Sequence, residues 1–85
     1  MDFEPTGNLE SDLALCIEHG NTMTMDYVDA KGNSSTRHVL PIEIRGDRCY
    51  FADLDKMGLR VFILSNIGSY EVLDEVVDKD SLTLK

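Results

Sequence analysis

The sequence predicts a mainly β domain of the α+β class, in which one N-terminal helix precedes a small, strongly bent, five-stranded antiparallel barrel. Three observations carry this expectation. Apolar residues between Leu9 and Ile17 recur at helical spacing, the period shortens to two from Asn21 onward, and turn residues then interrupt the chain at short intervals. With 85 residues the chain makes one domain, and at that length only about 60–65% of the unfolded surface is buried, so the core has to be compact. Residues 1–7 read as an N-terminal tail, 8–20 as the helix, 21–77 as the barrel and 78–85 as a C-terminal tail.

The helix comes from NLESDLALCIEHG, where Leu9, Leu13, Cys16 and Ile17 share one face. Asn8 suits the N-cap, Glu10 and Asp12 favour the positive first turn, His19 suits the negative end, and Gly20 can take the left-handed stop.

In TMTMDYV the first strand sets Met23, Met25 and Tyr27 against Thr22, Thr24 and Asp26, one apolar face against one polar face. The two methionines read as core filler. DAKGNSS supplies a turn in which Gly32 and Asn33 can adopt positive φ. The return strand, roughly Thr36 to Arg45, contains Pro41. Proline lacks the ladder donor, so this strand lies at an edge, bends, or carries a bulge there. RGDR joins it to CYFADL, with Gly46 and Asp47 suited to a two-residue hairpin, so RGD reads as turn chemistry and not as an adhesion signal. DKMG leads to a strand in LRVFILSNI, and SYEVLDEVV after Gly68 completes the five. DKDSLTLK reads as a frayed tail.

Composition narrows the function classes. Hydrophobic residues at 42% and charged residues at 28% are ordinary for a soluble globular protein. No stretch approaches the roughly 20 apolar residues of a membrane span, and Met1-Asp2-Phe3-Glu4 is too acidic to begin a signal peptide. The expected compartment is cytoplasmic. Cys16 and Cys49 lack CxxC or Cys/His spacing and read as buried thiols, while His19 and His38 stand alone, so neither a metal nor another cofactor is expected. There is no Walker loop, activated-nucleophile signature or glycine-rich phosphate cradle, and the chain is read as a non-enzyme. Asp53 and Asp55 alternate along one strand and read as a solvated strand end beside a turn.

The order of these pieces resembles the WYL domain family of bacterial and phage regulatory proteins. The matching residues are Tyr27 after TMTMD, Gly32, RHVLP (Arg37 to Pro41), CYF (Cys49 to Phe51), Asp55, RVFILSNI (Arg60 to Ile67) and YEVLDE, together spanning about residues 9–76. The resemblance implies an SH3/Sm-like β-barrel led by a helix. It also implies a ligand-sensing role, since members are commonly fused to a DNA-binding helix-turn-helix and several are thought to bind nucleic acid or nucleotide-like ligands. Carried onto this chain, the ligand-binding residues are Arg37, Tyr50 and Arg60, with Tyr50 stacking a base and the guanidiniums holding phosphate. The chain departs from the family pattern at Cys49, where the tryptophan would stand, and at Ile63 and Asn66, where two arginines would. Charge-assisted bonds are worth roughly 1.5–3 kcal/mol each, so those two losses leave a partial anion site.

Charge is unevenly distributed. The formal net charge is -8, yet residues 31–60 carry six of the eight Lys and Arg residues against four acids. A positive flank between acidic ends fits a small anionic or nucleotide-like ligand, whereas the net field repels a polyanion and disfavours direct double-stranded DNA binding. The alternative expectation is a small acidic protein that docks on a regulatory partner or mimics nucleic acid, as phage inhibitors of this size do. Self-association through an exposed strand edge is a third, and the oligomeric state is left open. Replacing Arg37 and Arg60 by glutamine is expected to leave folding nearly intact, on the premise that both are exposed.

Overall fold

The computed structural model describes residues 1–84. Its first element, α1 (Leu9–His19), is capped at both ends by the residues expected to do so. The Asn8 side chain accepts the Ser11 N–H at 3.0 Å, and Gly20, at φ +77°, returns its own N–H to the Cys16 carbonyl at 2.7 Å. Leu13 and Cys16 are fully buried, and the helix packs chiefly against the second strand.

Five strands follow: β1 (Asn21–Val28), β2 (Ser34–Arg45), β3 (Arg48–Asp53), β4 (Gly58–Ile63) and β5 (Ile67–Val76). They form a single sheet in the order β4-β3-β2-β1-β5, with every neighbouring pair antiparallel. Pro41 marks a bulge, because the β2–β3 register slips between Pro41 and Glu43. An extra residue there bends β2 and raises its twist, which helps the sheet curl. Gly46, at φ +59°, makes the tight β2–β3 turn.

Two expectations are corrected. The hydrogen-bonded ladder does not close, since β4 and β5 end the strand order without pairing to each other. The gap is bridged by the chain itself, and this is the second correction: LRVFILSNI is not one strand. It breaks after Ile63 into a 3-10 turn, Leu64–Asn66, and β5 begins directly at Ile67. Leu64 turns inward, is buried, and donates its N–H to the Asp47 carbonyl at 2.8 Å. An apolar run gives no local sign of such a break, because burial on either side of the turn looks the same in sequence.

The sheet is nonetheless strongly curled. Tyr27 on β1 and Phe62 on β4, three strands apart in the sheet, bring their ring centroids within 4.1 Å, and Phe62 lies 5.6 Å from Phe51. Around these rings Leu13, Met23, Met25, Val39, Cys49, Leu64 and Ile67 form the core, each large side chain contributing about 1.5–3 kcal/mol by leaving water.

Asp12 stands in the first turn of α1, as expected, and is fully buried there. Its Oδ1 accepts the Thr6 N–H at 2.7 Å and the Thr6 hydroxyl at 2.9 Å, while its Oδ2 accepts the Gly7 N–H at 3.2 Å and the Tyr70 hydroxyl at 2.6 Å. The acid thereby pins residues 6–7 and β5 to the helix. Residues after β5 are also ordered by local bonds. Val77 donates its N–H to the Gly20 carbonyl at 2.9 Å, Asp78 caps the 3-10 turn Lys79–Ser81, and Leu82 and Leu84 are half-buried.

Candidate functional site

Arg37 and Arg60 reach the same end of the curled sheet, although they are two strands apart. Arg37 pairs with Met25 across the β1–β2 ladder and so points to the core side of β2. Its Nη1 donates to Asp53 Oδ2 at 3.3 Å, its Nε donates to Ser35 Oγ at 3.0 Å, and its guanidinium carbon stands 5.8 Å from the centre of the Phe62 ring. Tyr27 is the next ring beyond Phe62.

Arg60 arrives from the other side of Asp53. Asp53 and Gly58 are opposed across the β3–β4 ladder, and the Arg60 guanidinium lies over Gly58: a Cβ at that position would stand 2.7 Å from Arg60 Nη1. Opposed Cβ positions on an antiparallel pair lie about 4.5–5.5 Å apart. The Asp53 carboxylate is bonded to Arg37, and the Arg60 guanidinium lies over Gly58, the residue opposite Asp53 on the same face of the sheet. Arg60 Nη1 donates to the Leu59 carbonyl at 3.1 Å, and Arg60 makes no ion pair among the described residues. A cavity of about 240 Å³, lined by Ser35, Thr36, Arg37, Asp53, Asp55 and Lys56, opens beside this cluster.

Asp53 departs from its expected setting. It is 2% exposed, not solvated, and its Oδ1 accepts the N–H groups of Asp55 at 3.0 Å and Lys56 at 3.1 Å. The β3–β4 turn is thus wound around this carboxylate. Asp55 lies in the turn, exposed, and does not share a strand face with Asp53. The arginines differ in burial as well: with 26% of its side chain exposed and a buried acid as partner, Arg37 is part of the structure, contrary to the premise that it is a free surface charge.

Tyr50 is not brought to the two arginines. It pairs with Val61, one residue along from the Phe51–Arg60 pair, and so projects from the opposite face of the sheet. There the guanidinium of Arg45 covers its ring at 5.1 Å. Ile63, one of the two positions where the family arginines are replaced, pairs with Arg48 on that same outer face, and Asn66 lies in the 3-10 turn. The aromatic that faces Arg37 is Phe62, and the half-buried Tyr27 ring packs against Phe62. The position of Tyr27 after Met23 and Met25 in the alternation was the available signal, since it extends the core face to the rim.

The outer face of β1, β2 and β5 is polar. Asp26 accepts the hydroxyls of Thr36 at 2.8 Å and Ser69 at 2.7 Å, and His38 Nε2 meets Glu75 Oε1 at 2.8 Å beside the Thr22 hydroxyl, which donates to the same oxygen at 2.6 Å. The Thr22 bond, then the His38 bond, hold the Glu75 carboxyl below its usual range. These three strands bring together residues that the sequence left isolated. Both cysteines are buried and free, and burial pushes their thiols up, to about 11 for Cys16 and about 12 for Cys49. Among the described residues no cluster of three His, Cys, Asp or Glu side chains is arranged to hold a metal, and no helix is long and apolar enough to cross a membrane.

No family model matches the chain, and no curated protein does. Among solved structures the chain is similar to proteasome accessory factor B/C (PafBC) of Arthrobacter aurescens. The TM-score is 0.70 at 18% identity, and the match covers 94% of this chain but 14% of that one. The chain therefore spans about one-seventh of the length of that protein. What the two have in common is the fold, a helix leading a curled five-stranded SH3/Sm-like sheet.

Proposed function

We propose that this chain is a non-enzymatic regulatory module that binds a nucleotide-like or single-stranded nucleic-acid ligand at the mouth formed by Arg37, Arg60 and Tyr27. The observation that carries the reading is the convergence of two guanidiniums and an aromatic ring at one end of the sheet. Arginine forks hold phosphate oxygens in a fixed plane, and an aromatic ring at the rim offers a stacking surface for a base. The WYL-like fold supports the regulatory part of the reading. Tyr50 lies outside the ligand's reach in this account. Duplex DNA is a poor ligand, because a net charge of -8 repels it and the mouth offers few free cations.

The test is a titration of isotope-labelled protein with a short oligothymidylate at low salt, read residue by residue. Backbone signals of Tyr27, Arg37, Gly58 and Arg60 are expected to move together while that of Tyr50 stays in place. Signals that stay put at all four positions, or move only around Tyr50, overturn the reading.

A second reading, a small acidic protein that docks on a basic regulatory partner, is favoured by the polar outer face carrying Asp26, Glu71 and Glu75. Capture of a host partner that is lost at high salt and by charge reversal of those three acids supports it.

A further inference from the structure

Arg37 already has an anion. The Asp53 carboxylate is built into the β3–β4 turn by two backbone N–H bonds on Oδ1, which leaves Oδ2 to face the Arg37 guanidinium. It cannot swing away without unwinding the turn. Any ligand phosphate at this mouth therefore meets a fixed negative charge next to its first arginine. Counted over the whole mouth, Arg37, Lys56 and Arg60 stand against Asp53 and Asp55, a surplus of one positive charge.

We propose that Asp53 is a specificity-determining residue which makes this mouth accept a singly charged phosphate diester, as found inside a nucleic-acid strand, and disfavour the doubly charged monoester of a free mononucleotide. The proposal rests on the anionic-ligand reading above and adds the kind of phosphate. A diester brings one charge and neutralises the surplus. A monoester, with a second pKa near 6, brings close to two at neutral pH and above, and the extra charge falls beside a buried carboxylate that cannot be screened by water. Gly58 takes part in the geometry. Only without a side chain at that position does the Arg60 guanidinium lie across from Asp53, where it supplies the uncompensated charge.

The experiment compares thymidine 5′-monophosphate with its methyl ester at pH 8, two ligands that differ by one charge and one methyl group, using shift titrations of the full chain. Wild-type protein is expected to bind the methyl ester about tenfold more tightly. In Asp53→Asn, which keeps an oxygen acceptor for the turn amides, that preference is expected to vanish through tighter binding of the monophosphate. In the Arg37→Gln, Asp53→Asn double variant the tightening is expected to be lost, since it acts through Arg37. Equal wild-type affinities, or a wild-type preference for the monophosphate, overturn the proposal even if the Asn variant does not fold. An unchanged preference in a folded Asn variant overturns it too. If neither mononucleotide shifts any signal the proposal fails, and if oligothymidylate also shifts none, the ligand-binding reading beneath it fails as well.

Discussion

Asp12 and Asp53 are both buried carboxylates, and the chain satisfies them in different ways. Asp12 has no cation near it in the bonding pattern. It is held by four neutral donors, two from Thr6, one from Gly7 and one from Tyr70. Asp53 is held by two amides and one guanidinium, and that guanidinium is itself partly open to solvent. The comparison separates a fastener from a site. Where the carboxylate is met on both oxygens by neutral donors, nothing remains for a ligand to contact. Where a charge is met by a charge at the rim, both ends retain bonding capacity and the balance between them can be altered from outside.

The strongest test of that contrast is Asp12→Ala. It removes the acceptor of four hydrogen bonds around a buried position, and although Thr6 and Gly7 are exposed enough for water to take up part of the loss, the bonds that tie residues 6–7 and Tyr70 to the helix go. Allowing for partial relaxation, a loss of about 2–4 kcal/mol is expected in urea unfolding. A loss under 1 kcal/mol shows that residues 6–7 and β5 are held by something else.

Arg37→Gln is expected to cost less, about 1–2 kcal/mol. The change strands a buried carboxylate, which is severe in general, but Asp53 keeps its two amide donors, and Arg37 is exposed enough for water to replace part of its interaction. The corresponding Arg60→Gln change is expected to be nearly silent in unfolding. Equal losses for the two arginines show that Arg37 has no special tie to Asp53.

A smaller effect than that of Arg37→Gln is expected from Tyr70→Phe, about 1 kcal/mol at neutral pH, and its value is in the pH profile. Burial raises the Asp12 pKa, but its hydrogen bonds from Thr6, Tyr70 and Gly7 outweigh that and hold it below its ordinary 3.8. Its contribution is therefore complete above the unfolded value and is lost as pH falls through the folded one. Tyr70 goes the other way: burial, then its bond to Asp12, raise its hydroxyl from 10.0 to about 12. That contribution is complete below pH 10 and is lost as pH rises toward the folded value. Wild-type stability is expected to fall at both extremes, and Tyr70→Phe to remove the alkaline fall and to lessen the acid one, since it takes away one of the bonds that hold the Asp12 pKa down. An alkaline fall that persists in the variant places its cause elsewhere.

Local features of the fold were legible because local physics decides them. Asn8 and Gly20 cap the helix where residues of their type are needed, the Gly46-Asp47 turn joins β2 to β3, and Pro41 sits at a bulge. The family resemblance pointed to the right fold, and two of the three residues it named, Arg37 and Arg60, lie on the core-side face of the sheet. It placed Tyr50 with them because a strand pattern gives relative facing within one segment only. Whether residues in different segments share a face depends on register, and a shift of one residue reverses it. The sequence places Asp12 in the first turn of the helix but does not show its burial, because its bond to Tyr70 spans 58 positions. Asp53 was read as solvated because a turn carboxylate looks the same in sequence whether it faces water or an arginine.

Composition, helical and strand periodicity and turn chemistry thus determined by themselves that one helix precedes five curled strands, since each depends on neighbours a few residues away. Only the tertiary structure decided that the ladder stays open between β4 and β5, that Asp12 and Asp53 are buried, and that Arg37 pairs with Asp53 while Tyr50 projects from the opposite face. Those outcomes depend on pairing between distant segments, where the energy of a contact is set by what the fold brings opposite it and not by the residue alone.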